Sequence, residues 1–304
     1  MNFMTNYRHR PSILLIAALG MILMATISGC AKSKSASVNS APTLHSDLTY
    51  IPGSKLKSQT LDLFLPGNVS QEKVPVVVWI HGGAWEGGDK RPAPCPELIK
   101  RGIAVAAINY RLSSEAPFPA QIHDCKAAVR YLRANADKYN LNPDKIGVWG
   151  MSSGGHLASL LGTSGGERDL EGVEGNIEQS SKVVAVCDWC GFVDFENISK
   201  KGWNQESVFY KLFKGPQDSK QKEIRLASPM EFASSDDPPF LIMHGDKDRT
   251  VSIRQSENFK KALDKAGVRC DFEAVKDGDH FFFSPAQLTR TAEWFEEQFK
   301  PYKH

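Results

Sequence analysis

IGVWGMSSGGHLASLL, residues 146 to 161, is the stretch whose reading decides the fold. Ile146 to Trp149 is a short apolar run of strand-forming residues, and Ser153 to Leu161 is small and apolar enough for a buried helix packed close to a sheet. Between them Gly150, Met151, Ser152, Ser153 and Gly154 form a GxSxG pattern at a strand-to-helix junction. A sharp turn there strains the backbone and leaves no room for neighbouring side chains, a need that Gly150, Gly154 and Gly155 meet. Ser152 at the apex is the candidate nucleophile. The helix start behind it makes the Ser153 N–H a candidate donor to a developing oxyanion. A glycine-rich turn without chemistry carries the same five residues, so the partners must decide.

Working outward, strand-like and helix-like stretches alternate from Gln59 onward, which predicts an α/β fold: a mostly parallel sheet with helices on both faces. Leu61 to Leu65, Val74 to Ile80 and Gly102 to Tyr110 read as the early strands. VPVVVWI lacks polar alternation and so predicts burial on both faces. Pro119 to Tyr139 has the helical period of a crossover helix. Val183 to Val186, Phe240 to Met243 and Arg269 to Val275 supply later strands, and Thr289 to Phe299 a closing amphipathic helix. A segment near 192–237 fits no strand–helix unit. Its Phe195, Trp203, Phe209, Tyr210 and Phe213 suit either a cap over the site or a small satellite core.

Charge excludes one class of partner. The net +2 comes from Arg8 and Arg10, and beyond them 35 basic residues face 35 acidic ones. A neutral body has no basic stripe for phosphates, so nucleic-acid binding is not expected. Residues 1–30 read as an export signal, a cationic start followed by the apolar run Ile13 to Ile27. Ile27-Ser28-Gly29-Cys30 resembles a bacterial lipobox, which implies acylation of Cys30 and a lipid anchor. The competing reading is an uncleaved membrane anchor, but the run is short of the roughly 20 apolar residues that span a bilayer. Either way the body is expected outside the cytoplasm, as a membrane-anchored lipoprotein on the periplasmic or cell-surface side. Residues 31–44 then read as a flexible tether and 45–304 as the folded domain. With Cys30 acylated, Cys95, Cys125, Cys187, Cys190 and Cys270 remain, an odd number of which at least one stays free. Cys187 and Cys190 form CDWC, but no second CxxC and no histidine at ligand spacing accompanies it, so a structural role is expected and no metal site.

Partners for Ser152 do exist. His81-Gly82-Gly83-Ala84-Trp85 follows the strand ending at Ile80 and resembles the HGGG-type oxyanion loop. Gly83 and Ala84 are the expected N–H donors, with Gly82 shaping the turn; Ala84 in place of a third glycine keeps its N–H. In folds of this kind the order along the chain is serine, acid, histidine. Beyond the helix Ser153 to Leu161, which holds His156, only His244, His280 and His304 follow Ser152; His304 is the chain end, and His244 precedes every acid on its own loop, which leaves His280. The loop His244-Gly245-Asp246-Lys247-Asp248 offers two carboxylates, between which spacing does not choose. His123 and His156 read as packing or surface histidines. Trp85 and Tyr110, beside these loops, are candidate pocket-lining residues or core aromatics.

Taken together, HGGAW, NYRLSSEAPFPAQIHDCKAAVRYL, IGVWGMSSGGHLA, HGDKDRTV and DGDHFF resemble the esterase family of bacterial feruloyl and acetyl-xylan esterases, over roughly Leu56 to Phe299. The resemblance implies an eight-stranded α/β-hydrolase fold, carboxylic-ester substrates on small molecules or polysaccharides, and no cofactor. It also selects Asp248, because HGDKDRTV is similar to the HGxxDxxV acid loop. The expected roles are then nucleophile for Ser152, base for His280 and orienting acid for Asp248. Three other readings share the motifs: a general short-chain carboxylesterase or lipase, a serine peptidase of the prolyl-oligopeptidase type, and a non-catalytic binding protein on the same fold. The peptidase usually carries a large propeller for which this chain has no room, and the binding protein would be expected to have lost one of the three residues.

Overall fold

A computed structural model describes residues 41–67, 72–94, 96–199 and 203–300. The export signal at 1–30, Cys30, Cys95, His304 and the tether up to residue 40 lie outside the described residues.

The sheet has eight strands in the order β1-β2-β4-β3-β5-β6-β7-β8. They are β1 (Thr43–Thr49), β2 (Thr60–Leu65), β3 (Val74–Ile80), β4 (Ala104–Ile108), β5 (Leu141–Met151), β6 (Ala185–Trp189), β7 (Phe240–Gly245) and β8 (Cys270–Val275). β2 runs antiparallel to β1 and β4, and every pairing from β4 through β3 to β8 is parallel. The helices are α1 (Pro96–Lys100), α2 (Ala120–Ala134), α3 (Ser153–Thr163), α4 (Arg168–Glu171), α5 (Val208–Phe213), α6 (Gln221–Ala227), α7 (Arg254–Ala266) and α8 (Pro285–Gln298).

Because side chains alternate along a strand, the central strands feed two cores. Val76, Val78, Ile80, Val148, Val186 and Ile242 face α2, α3 and α7. Val77, Trp79, Trp149, Cys187, Leu241 and Met243 face α1 and α8. Burying each such branched side chain contributes about 1.5–3 kcal/mol, so the uninterrupted apolar runs hold both layers on the sheet. The expected α/β-hydrolase architecture is thus borne out.

The boundaries differ in three informative places. β1 starts at Thr43, inside the stretch read as tether, and pairs with β2 from Thr43↔Leu65 to Thr49↔Thr60. β5 begins at Leu141, where it meets Val74, well before Ile146. α2 stops at Ala134 because Asn135 turns its side-chain amide back onto the Tyr131 carbonyl at 2.9 Å, closing the helix short of Tyr139. Between β6 and β7, Phe195, Trp203, Phe209 and Phe213 stack on one another and on Trp85, at centroid separations of 5.4 to 6.3 Å. Phe195, Trp203 and Phe213 of the segment near 192–237 join the same continuous core as Val76 and Val148, with Phe209 and Tyr210 packed against it, and do not form a separate satellite core.

Candidate active site

The candidate residues at Ser152, His280, Asp248 and the His81 to Trp85 loop sit at the C-terminal ends of parallel strands, where loops leave a rigid sheet. Ser152, between β5 and α3, has φ 56° and ψ −121°, a strained left-handed conformation for a residue with a side chain. The turn is held by Ser152 N–H donating to the Trp189 carbonyl at 2.8 Å. It also needs close backbone approach: a Cβ on Gly154 would lie 2.1 Å from the Ile80 carbonyl oxygen, and one on Gly150 would lie 2.1 Å from that of Gly154. The glycines flanking Ser152 are therefore fixed by sterics.

His280 lies after β8 and is almost wholly buried. Its Nε2 stands 3.0 Å from Ser152 Oγ, and its Nδ1 stands 2.7 Å from Asp248 Oδ2. With Nδ1–H donating to the carboxylate, Nε2 is free to accept the serine proton. Asp248 Oδ1 accepts the N–H groups of Thr250 at 2.7 Å and Val251 at 2.9 Å. Burial pushes the Asp248 carboxyl pKa up, but the hydrogen bonds from His280 and from these two amides outweigh it and hold the pKa below the ordinary value. Asp246 is exposed, so of the two carboxylates it is Asp248 that reaches His280. The loops after β7 and β8 are laced together by Asp246 N–H to the Val275 carbonyl at 3.1 Å and Lys247 N–H to that of Gly278 at 2.8 Å, which fixes acid and base relative to one another.

Beside Ser152, the His81 to Trp85 segment turns through positive φ at Gly83 (121°), Ala84 (54°) and Trp85 (58°). At Gly83 the demand for glycine is twofold, since a Cβ would also lie 2.2 Å from the Gly87 carbonyl oxygen. The N–H groups of Gly83 and Ala84 meet no acceptor among the described residues. The Ser153 N–H, first in α3, is likewise free of the intrahelical ladder. Trp85 and Tyr110 require a correction as candidate substrate-binding residues. Each is only 1% exposed. The Trp85 indole donates to His156 Nδ1 at 3.1 Å, and Tyr110 stacks on His81 at 4.5 Å while its hydroxyl donates to the His81 carbonyl at 3.1 Å. Both brace the oxyanion-type loop from behind: the positive-φ turn points Trp85 into the core, and Tyr110 reaches the loop from the end of β4.

His156 ties three parts together, accepting from Trp85 and donating Nε2–H to the Ala227 carbonyl at 2.8 Å. Burial drives its pKa down from the ordinary 6.5 to about 4. Between those two values the unfolded chain carries the proton and the folded one does not, so the His156 contribution is complete above pH 6.5 and is lost as pH falls toward 4. The expected loss at pH 4.5 is of the order of 3 kcal/mol. Thermal melts at pH 7 and 4.5 should therefore show a smaller drop in midpoint for His156→Phe than for wild type. Equal drops would mean that the imidazole is not held neutral. Asp188, whose pKa burial raises to about 6, acts in the opposite sense but equally in both proteins.

Cys187 and Cys190 are buried free thiols, with no disulfide between them. Cys190 Sγ, an Asp248 oxygen and a His280 nitrogen lie within 4.8 Å of one another, the single group of this kind among the described residues. That set does not suit a resident metal: the imidazole and carboxylate already share a proton, and burial pushes the Cys190 thiol well above its usual pKa. Sequence reasoning missed His244 and Ser256. His244 Nε2 is 3.1 Å from Asp248 Oδ2, and its Nδ1 is 2.7 Å from Ser256 Oγ. The available signal was Ser256 itself, a polar residue on the buried Ser256–Phe259–Leu263 stripe of α7.

Comparisons with known proteins find esterases. The chain is 30% identical over 254 residues to Esterase LipQ of Mycobacterium tuberculosis, covering 81% of this chain and 59% of that protein. It spans about half the length of the curated relatives it matches. Among solved structures it is similar to a truncated form of a carbohydrate esterase from gut microbiota, at 35% identity and a TM-score of 0.79, covering 86% of this chain and 97% of that one. A bifunctional GH43-CE protein of Bacteroides eggerthii is 36% identical with a TM-score of 0.78, covering 84% of this chain and 35% of that one. The BD-FAE family matches residues 61–263, a span running from β2 through the GxSxG turn into α7, and the chain belongs to this family of α/β-hydrolase esterases.

Proposed function

We propose that this protein is an exported serine carboxylic-ester hydrolase, held at the membrane by a lipid on Cys30, that removes acetyl or feruloyl groups from carbohydrates. The observation that carries the hydrolase reading is the continuous chain Ser152 Oγ, His280, Asp248, at 3.0 and 2.7 Å, beside three free backbone N–H groups. Ser152 attacks the ester carbonyl while its proton passes to His280 Nε2. The oxygen, now negatively charged, is held by the N–H groups of Gly83, Ala84 and Ser153. As the tetrahedral species collapses, His280 returns the proton to the leaving alcohol, and water activated by the same nitrogen releases the acid.

Carbohydrate as the alcohol side is supported by the named similarity to carbohydrate esterases, which covers nearly the whole of one such structure. The relatives named only as esterases favour a general short-chain carboxylesterase as the second reading. Export and lipidation rest on the sequence of residues 1–30. The test is hydrolysis of acetylated xylan, methyl ferulate, p-nitrophenyl acetate and a dipeptide amide, with Ser152→Ala as control. Release of acetate from acetylated xylan, or of ferulate from methyl ferulate, at a kcat/KM at or above that for p-nitrophenyl acetate is the expected result. Turnover of p-nitrophenyl acetate alone would favour the general carboxylesterase, and turnover of none would overturn the hydrolase reading.

A further inference from the structure

Asp248 Oδ2 faces two imidazoles. His280 Nδ1 is 2.7 Å away, and on the other side His244 Nε2 is 3.1 Å away. His244 Nε2 is also 2.9 Å from the Val251 carbonyl oxygen, so both of its near neighbours are pure acceptors. That nitrogen must therefore carry the proton, shared between carboxylate and carbonyl. The other nitrogen, Nδ1, must then accept, and Ser256 Oγ at 2.7 Å is placed to donate to it. His244 is fully buried at the end of β7, and burial lowers its pKa, which keeps the ring neutral and the tautomer single. Ser256 is fully buried on the inner stripe of α7.

We infer that His244 and Ser256 are positioning residues: Ser256 sets the tautomer of His244, and His244 fixes the Asp248 oxygen that orients His280. The inference rests on the hydrolase reading above. The geometry asks for such a device because Asp248 sits on a loop. Thr250 and Val251 hold its Oδ1, but these amides belong to the same turn and move with it. His244 ties Oδ2 to the sheet, and Ser256 ties His244 to the helix layer. A carboxylate so held cannot swing away from Nδ1, and displacement of such a group by about 1 Å typically costs around a hundredfold in rate. The other titratable groups around the pair are Cys190, from the turn after β6, and Lys247, Arg249, Asp277 and Asp279, from the two loops; the variants below leave all of them in place.

The test uses the full-length protein and p-nitrophenyl acetate. His244→Leu removes the donor and should lower kcat about 10- to 100-fold with KM within about threefold of wild type. His244→Gln, whose amide N–H reaches the same point, should recover kcat to within about fivefold of wild type. Ser256→Ala should lose about 3- to 10-fold. Unchanged kcat in His244→Leu or Ser256→Ala overturns the inference, as does a His244→Gln as slow as His244→Leu. Should His244→Leu not fold, Ser256→Ala decides. If wild type itself hydrolyses nothing, the hydrolase reading has failed, and ring ¹⁵N shifts still judge the geometry: a neutral Nε2–H tautomer of His244 at pH 7 is expected, and an Nδ1–H or protonated ring overturns it.

Discussion

Ser152→Ala is expected to lower kcat for ester hydrolysis by about 10⁵- to 10⁶-fold while leaving the protein folded. The size of the effect follows from what is removed. Without Oγ there is no covalent step, and His280 has no hydroxyl to deprotonate; the remaining N–H groups still favour attack by water and leave a residual rate about 10³- to 10⁴-fold above the uncatalysed one. Stability should change little. Alanine inherits the same φ of 56°, so backbone strain persists, and the lost hydrogen bond to His280 is worth about 1 kcal/mol. The Ser152 N–H to Trp189 bond and the helix behind it do not involve the side chain. Substrate binding should also persist, so KM is expected within a few-fold of wild type. A loss of less than a hundredfold, with the fold intact by circular dichroism, would remove Ser152 from the role of nucleophile.

What the sequence made legible was whatever depends on spacing along the chain. The uninterrupted run VPVVVWI announced a central strand, and the GxSxG turn between an apolar run and a small-residue helix announced the elbow, because close packing of Gly154 on the β3 end tolerates no side chain. The order of residues in the chain selected His280. Other features depend on what the fold brings from afar. β1, whose first two residues fell in the stretch read as tether, was missed because TLHSDLT is an edge strand exposed over most of its length, with no continuous apolar face to give a period. Trp85 follows two glycines and an alanine, and only the positive φ of Ala84 and Trp85 decides that the indole turns inward, away from the substrate side. His244 was set aside because it precedes the acid, yet that rule concerns the base alone. Its contact with Asp248 arises because the chain turns back on itself over four residues.

Asp248→Asn should be the second-largest effect, a fall in kcat of about 10⁴-fold with KM little changed. The carboxylate now receives four N–H groups: Thr250 and Val251 on Oδ1, His280 and His244 on Oδ2. An asparagine has one accepting oxygen and one donating nitrogen. If its oxygen stays with Thr250 and Val251, its NH₂ faces His280 Nδ1, which must give up its proton and accept. The proton then sits on Nε2, which points at Ser152 Oγ, and a nitrogen that donates to the serine cannot take its proton. If the amide flips, the NH₂ is pressed against two backbone N–H groups, at a cost of about 1–3 kcal/mol for each donor left buried without an acceptor. The first arrangement is cheaper, so the variant should fold and hold its base in the wrong tautomer. Ring ¹⁵N shifts of His280 would report the change directly, from Nδ1–H in wild type to Nε2–H in the variant. Asp246→Asn is the control: its side chain is exposed, and the substitution should leave kcat within about threefold of wild type. If Asp246→Asn proved as damaging as Asp248→Asn, the orienting carboxylate would have to be reassigned, and with it the part given to His244 and Ser256.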